Sequence, residues 1–222
     1  MSVVIVMADA NLRITEIFYS LQGEAKTIGL PTVFVRLTGC PLRCNYCDSE
    51  YAFHGGERLS LSHVLAEVAK FNPRYICVTG GEPLAQPSCL PLLSLLCDEG
   101  YAVSLETSGA MDVTAVDQRV SIVMDLKTPS CGEVGKNLYS NIACLGDKDQ
   151  IKFVLATRDD YEWAKFKLDE YQLSTRVGEV LFSPVHGVLA ERDLADWIID
   201  DNLPVRFQIQ LHKLLWGDKP GV

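Results

Sequence analysis

The sequence predicts an α/β fold built on a mainly parallel, incompletely closed sheet, and two observations carry that expectation. From residue 60 onward, strand-like and helix-like segments alternate, the pattern that places crossover helices between parallel strands. Strands of this kind number roughly six or seven, too few to close an eight-stranded β/α barrel, so the expected form is a partial barrel. At 222 residues the chain suits one domain with a sizeable core, and no internal repeat or low-complexity segment divides it.

The elements follow in order. Residues 13–21 (RITEIFYSL) alternate partially and predict a first strand; the β-branched run 32–38 (TVFVRLT) predicts a second. Residues 60–71 turn helical, because Leu61, Val64, Leu65, Val68 and Phe71 keep helical spacing behind a serine that can act as N-cap. Residues 74–79 form the next strand, closed by Gly80 and Gly81. A helix over 87–99 has proline in its first turn and Gly100 as its stop. Residues 101–106 and 120–126 are strands, the latter followed by a long loop through Asp147. Residues 151–156 form a strand, and Asp159 with Glu162 three positions on reads as a capping box for the helix behind it. Strand 179–182, helix 191–199 and a final strand 205–211 complete the series. The first eleven residues read as a short N-terminal extension. They lack a basic leading region and Asp9 interrupts their apolar run, unlike a signal peptide.

Composition narrows the function. With 48% hydrophobic and 22% charged residues the chain is globular, not disordered. A formal charge of −9 argues against a general electrostatic grip on nucleic acid, which needs a basic face, though one or two arginines suffice for a compact anionic substrate. No apolar run approaches ~20 residues, so no membrane span and a cytoplasmic location are expected.

Of eight cysteines, Cys77, Cys89 and Cys97 fall in apolar strand-like or helix-like runs, where the residue behaves as a small buried hydrophobe. Cys131 and Cys144 sit in loop-like sequence without a short-spaced partner. Cys40, Cys44 and Cys47 differ: their C-x3-C-x2-C spacing lets three sulfurs converge without a long loop to close. Thiolates are soft ligands for zinc, copper(I) or an iron–sulfur cluster. A structural zinc site is closed by four protein ligands, whereas a cubane on three cysteines keeps one iron open. A zinc knuckle and chance clustering are the competing readings. Cys40, residues 79–82, 106–109, 125–127 and 183–186 each follow a predicted strand, at the edge where parallel α/β folds bind ligands. In Gly80-Gly81-Glu82-Pro83, the glycines let backbone approach a ligand and Glu82 can accept from a bound ammonium. A tight strand–helix turn is the plainer explanation.

The cysteine triplet with Gly80-Gly81-Glu82 about forty residues later resembles the radical S-adenosylmethionine (SAM) superfamily, in which SAM chelates the open iron and the GGE segment holds its amino group. Leu21-Gln22-Gly23-Glu24, Arg36 in F-V-R-L-x-G-C, Cys47-Asp48-Ser49, Thr79 through Pro83 and Glu106-Thr107-Ser108-Gly109 extend the likeness. Together they resemble the 7-carboxy-7-deazaguanine synthase family, from about Leu12 to Leu211-His212-Lys213. Ala25 departs from the pattern, since a second glycine commonly follows the glutamate, and alanine tolerates fewer backbone conformations.

The resemblance implies a partial β/α barrel of the radical SAM type, one [4Fe–4S] cluster on Cys40, Cys44 and Cys47, SAM, and Mg²⁺ on Ser49 with the substrate carboxylate as co-ligand. The implied reaction turns 6-carboxy-5,6,7,8-tetrahydropterin into 7-carboxy-7-deazaguanine with loss of ammonia, toward queuosine. It begins when a reduced cluster cleaves SAM and the resulting radical takes hydrogen from C6. SAM would meet Gly81 and Glu82, then Asp125, Leu126 and Lys127 where the family often reads S-P-K, and Ser183, Pro184, Val185 and His186. The pterin would meet Leu21, Gln22, Gly23, Arg36 and Thr79, with Glu24, Glu106 and His212 in the same pocket. A homodimer and an electron donor such as flavodoxin or ferredoxin are also implied, without direct nucleic-acid binding.

The residues alone leave alternatives open. Arg36 could pair with a core carboxylate, and Ser49 could end a turn. His54, His63 and His186 carry no pattern of their own, and Asp159, Asp160, Glu162, Lys165, Lys167 and Asp169 read as a solvated helix face. Within the superfamily, a small activating enzyme that places a glycyl radical on a partner protein is the rival, against which Leu21 to Glu24 and Arg36 argue.

Overall fold

A computed structural model describes residues 10–217, 219, 221 and 222. The expected N-terminal extension lies outside them through residue 9, and Asn11 already belongs to the first strand. In chain order the elements are β1 (Asn11–Leu21), β2 (Pro31–Leu37), β3 (Glu57–Ser60), α1 (Leu61–Ala69), β4 (Tyr75–Gly80), α2 (Cys89–Asp98), β5 (Ala102–Thr107) and β6 (Ser121–Asp125). After them come β7 (Gln150–Leu155), α3 (Arg158–Glu170), α4 (Leu173–Arg176), β8 (Glu179–Pro184), α5 (Glu191–Asp200), β9 (Arg206–Phe207) and α6 (Leu211–Trp216). The nine strands among the described residues form one open sheet in the order β3-β1-β2-β4-β5-β6-β7-β8-β9. Every neighbouring pair from β2 to β9 is parallel, while β1 runs antiparallel to both β2 and β3. This is the partial barrel the sequence predicts.

Side chains alternate across the strands, and the two faces differ in chemistry. Ile76, Val78, Val103, Leu105, Ile122, Met124, Ile151, Phe153, Val180 and Phe182 enter one core with Val64, Val68, Leu92, Leu96, Tyr161, Ala164 and Leu194 from the helices. The alternate positions carry Arg36, Thr79, Glu106, Asp125 and Ser183 near the strands' C-terminal ends and Lys152 in the middle of β7. Parallel strands covered on both faces ordinarily read as continuous apolar runs. A polar second face marks the side built for a ligand.

Several expectations need correction. Edge strand β3 was not predicted; it forms because β1 offers a free edge, pairing Asn11 with Ser60 and Ile14 with Glu57. The last strand is only Arg206–Phe207, not residues 205–211, since Leu211 N–H turns to Gly23 O (3.0 Å) and begins α6. Thr157, not Asp159, caps α3: its Oγ1 accepts from Asp160 N (3.1 Å), while Glu162 pairs with Arg158. Nor is Asp160 solvated. It is fully buried and accepts from Ser130 N and Ala156 N (both 3.0 Å).

Ala25 has φ 62°, the left-handed region that favours glycine. Two things hold alanine there. Its methyl is buried in a small cluster with Val123 and Leu181. The Gln208 side chain clamps its backbone, Oε1 accepting from Ala25 N (2.6 Å) and Nε2 donating to Ala25 O (3.1 Å). Replacing Gln208 with leucine leaves a buried N–H and C=O unpaired, so Gln208→Leu should cost about 1–3 kcal/mol in urea unfolding. An unchanged midpoint would show that the clamp contributes nothing.

Candidate active site

The strand ends bring most of the singled-out residues together. Leu21 closes β1, and the loop behind it is fixed by Gln22, whose backbone N–H donates to Leu30 O (2.9 Å) and whose C=O accepts from Gly29 N (2.8 Å). With its backbone satisfied, buried Gln22 directs its amide inward, Nε2 donating to Glu106 Oε1 (3.2 Å). Glu106 Oε2 accepts from Thr79 Oγ1 (2.9 Å), so Gln22, Glu106 and Thr79 form one continuous set. Glu24 pairs through Oε2 with Lys152 Nζ, and among the described residues its buried Oε1 has no partner. Gly23 is glycine for lack of space, because a Cβ there would strike the His212 imidazole.

Arg36 lies directly across β1 from Glu16, and its Nε donates to Glu16 Oε1 (2.7 Å). The Tyr51 hydroxyl donates to the same oxygen (2.8 Å), and the guanidinium stands 5.7 Å from the Tyr51 ring and 5.9 Å from that of Phe18. Pairing with a protein carboxylate, left open by the sequence, therefore occurs through Nε. Burial pulls the guanidinium pKa down, but Tyr51 and Glu16 outweigh it and the value ends above the ordinary one. Burial, with the bond to Glu16, pushes the Tyr51 hydroxyl up to about 12.

The cysteine loop leaves β2 at Leu37 and is pressed against the loop behind β4. Gly81 N–H donates to Leu37 O (3.2 Å) and Glu82 N–H to Gly39 O (2.9 Å). A Cβ on Gly81 would collide with Gly39 O and stand 2.7 Å from Cys40 Cβ, so only glycine permits this approach. Glu82 is fully buried and accepts from Thr107 Oγ1 (2.9 Å), Leu84 N (3.0 Å), Ser108 N (2.7 Å) and Ser108 Oγ. The reading of Glu82 as acceptor for a bound ammonium is thus corrected: both oxygens are taken by protein donors, and the residue locks the loops behind β4 and β5 together.

Cys40, Cys44 and Cys47 are half-buried free thiols. The Cys44 thiol neighbours that of Cys131, and among the described residues no three His, Cys, Asp or Glu side chains stand close enough to hold a metal ion. The donor set nevertheless fits a cluster. Three soft ligands share one short loop, whose frame is fixed by Asn45 N to Cys131 O (3.0 Å) and Tyr46 Oη to Thr128 Oγ1 (2.9 Å). A thiol reorients about a single staggered bond. Burial pushes Cys40 and Cys47 up, and the neighbouring Cys131 with burial raises Cys44, so a binding metal must displace their protons. Ser49 makes no capping bond to the turn it precedes; its hydroxyl donates to Asp48 Oδ1 (2.8 Å), and Asp48 Oδ2 accepts from Gln210 Nε2 (3.0 Å).

On the far side, Asp125 Oδ2 pairs with Lys127 Nζ (2.7 Å), while among the described residues the buried Oδ1 has no partner. Asn137 holds the Lys127 backbone from both sides (2.9 Å each), and buried Leu126 donates its N–H to Lys152 O (2.9 Å). Buried Ser183 Oγ likewise has no partner among the described residues. Pro184 ends β8, Val185 N–H donates to Leu155 O (2.8 Å), and exposed His186 borders a cavity of about 70 Å³ with Pro184 and Gln210. His63 lies apart on α1, 3.4 Å from Glu67. Lys152, Gln208 and the Glu16–Tyr51 pair went unnoticed in the sequence. For Lys152 a signal existed: a lysine at an alternate position in an otherwise apolar strand, Q-I-K-F-V-L.

An open parallel sheet with a three-cysteine loop and a glycine-backed approach at its C-terminal edge defines a radical SAM protein, and the family model of the Radical SAM superfamily matches residues 34–128. The 7-carboxy-7-deazaguanine synthase of Koribacter versatilis is 41% identical over 92% of this chain and 97% of its own length. That of Chlorobaculum tepidum is 42% identical over 96% and 99%. The crystal structure of QueE from Escherichia coli shares the fold, with TM-score 0.74 and 23% identity over 94% of this chain and 98% of that one. The chain belongs to the 7-carboxy-7-deazaguanine synthase family. It is a radical SAM lyase of 7-deazapurine biosynthesis, on the queuosine route, and its cofactors are a [4Fe–4S] cluster and SAM. Among the described residues no helix is long and apolar enough to cross a membrane.

His212 provides a test of the pocket's polarity. Burial lowers its pKa below the ordinary 6.5, with Glu24 acting in the opposite direction. Its stabilising contribution, carried by the neutral ring, is present above pH 6.5 and lost as pH falls through the lowered midpoint. NMR titration should place His212 below 6.5, and lower still in Glu24→Gln; a midpoint above 6.5 contradicts the packing described.

Proposed function

We propose that the chain converts 6-carboxy-5,6,7,8-tetrahydropterin to 7-carboxy-7-deazaguanine with loss of ammonia. The observation that carries this reading is the linked set Gln22–Glu106–Thr79, beside the open oxygen of Glu24, on the same sheet edge as the three thiols. An aminopyrimidinone ring presents several N–H donors along one edge, and carboxylates that keep free lone pairs complement them. The substrate's own carboxylate needs a cation. Arg36 has spent only its Nε on Glu16, and its remaining guanidinium nitrogens can take one carboxylate. Ser49, next to Asp48, supplies an oxygen to Mg²⁺, a hard ion that works with few protein ligands and keeps several waters.

When bound, the cluster and SAM supply the one-electron chemistry that removes a hydrogen atom from a substrate carbon. The protein's part is to hold Cys40, Cys44 and Cys47 at the mouth, to admit SAM along Gly81, and to line its remaining length with Asp125, Leu126, Lys127, Ser183, Pro184, Val185 and His186. Leu21 and Gly23 give the pterin backbone contact, and His212 covers it. Glu82 acts behind Gly81, keeping that backbone in place. We further assign the whole chain to one domain, working in the cytoplasm as a homodimer with an electron donor of the flavodoxin or ferredoxin class, and without binding nucleic acid.

Anaerobically reconstituted protein given SAM, reductant, Mg²⁺ and the carboxytetrahydropterin should form the deazaguanine, detected by mass spectrometry; no product sinks the reading. Ser49→Ala should blunt the Mg²⁺ dependence while iron content stays the same, and loss of cluster assembly instead would reject the role given to Ser49. Arg36→Ala should raise the substrate requirement by about 1.5–3 kcal/mol with SAM affinity unchanged; an equal loss of SAM affinity would contradict the assignment.

A further inference from the structure

Lys152 occupies the middle of β7, where Ile151, Phe153 and Leu155 enter the core and the alternate positions face the polar side of the sheet. A half-buried ammonium on a central strand has to be compensated by nearby charge. Its ion-pair partner is Glu24, from the loop behind β1, 128 residues away in sequence. Asp125 is its register neighbour on β6, yet Asp125 is already held by Lys127 at 2.7 Å, which leaves Lys152 to Glu24. Burial would draw the Lys152 pKa down, and the carboxylates of Glu24, Asp125 and Glu106 hold it above the ordinary value, so the cation persists throughout the neutral range.

A purely structural ion pair would satisfy both carboxylate oxygens. Here one is left over: Glu24 Oε2 meets the ammonium, and among the described residues the buried Oε1 has no partner. A buried carboxylate oxygen left unpaired is costly, and such atoms call for an absent hydrogen-bond donor. The backbone around Glu24 is fixed as well, because Gln22 Oε1 accepts Glu24 N–H (3.2 Å) and Gln208 clamps Ala25 immediately after it. Glu24 is therefore held at its base by two glutamines and at its tip by Lys152, with one oxygen to spare.

We propose that Lys152 is a positioning residue of the substrate pocket, holding Glu24 turned so that its free oxygen accepts an N–H from the aminopyrimidinone edge of the substrate. The inference rests on the pterin-converting reading above and adds a residue to it. Lys152 itself does not touch the substrate in this scheme; it determines where the acceptor stands.

The test compares reconstituted full-length enzyme with Lys152→Met, Lys152→Arg, Glu24→Gln and the Lys152→Met/Glu24→Gln double variant. Iron content, SAM affinity, KM for the carboxytetrahydropterin and kcat are measured for each. Lys152→Met should raise KM about tenfold or more while iron content and SAM affinity hold and kcat changes far less. Lys152→Arg should recover most of the loss, Glu24→Gln should raise KM similarly, and the double variant should be no worse than either alone. If the unsubstituted enzyme does not turn over the pterin, the functional reading falls and this inference with it. If it does, and Lys152→Met keeps its KM, or loses iron and kcat instead, the role of Lys152 alone is refuted. Should Lys152→Met fail to fold, a normal KM in Glu24→Gln, or a strongly raised KM in Lys152→Arg, refutes it equally.

Discussion

The mouth of this sheet depends on the buried carboxylate of Glu82. Among the described residues no cation pairs with it; instead Leu84 N, Thr107 Oγ1 and both donors of Ser108 surround it. Several N–H and O–H donors make burial of the carboxylate tolerable, and breaking such a set leaves a buried polar group unpaired. The arrangement ties the loop behind β4 to the loop behind β5. Through Gly81, which alone allows the approach to Gly39 and Cys40, it also sets the height of the cysteine loop. The glycine-glutamate segment is thus a bracket: glycine brings two loops into contact and glutamate prevents them from parting.

Around that bracket the sheet divides its labour by alternation. One face supplies Val, Ile, Leu and Phe to a core shared with the helices, while the other carries Arg36, Thr79, Glu106, Asp125, Lys152 and Ser183 toward a common edge. The charges on that edge are not isolated. Arg36 has Glu16, Lys127 has Asp125 and Lys152 has Glu24, each a partly buried pair. Pairing keeps burial tolerable and leaves single oxygens, Glu24 Oε1 and Asp125 Oδ1, without donors among the described residues. Those open acceptors are what a nitrogen-rich ligand would complete.

Much of this was legible in the sequence because it is local. Three thiols within one short loop, glycines after a strand, and polar residues placed just past apolar runs all lie within a few positions of one another. What escaped was set by contacts between distant segments. Gln208 clamps Ala25 across 183 positions, and that clamp, not any local preference, lets alanine stand at φ 62°. Lys152 meets Glu24 only because β7 and the loop behind β1 meet over the polar face. Strand β3 exists because β1 has an unpaired edge, and β9 stops after two residues because Leu211 is drawn to Gly23. Asp160 looked like part of a wet helix face and is instead an internal acceptor for two backbone N–H groups.

The central claim is that Cys40, Cys44 and Cys47 hold a cluster with one iron left for SAM, although Cys44 rests against Cys131 when the thiols are free. Electron paramagnetic resonance of the reconstituted, reduced protein tests it directly. The account predicts the signal of a reduced [4Fe–4S] cluster that changes on adding SAM, and its loss when Cys44, but not Cys131, is replaced by alanine. A zinc-loaded, signal-free protein, a cluster indifferent to SAM, or one that needs Cys131 in place of Cys44 would contradict it.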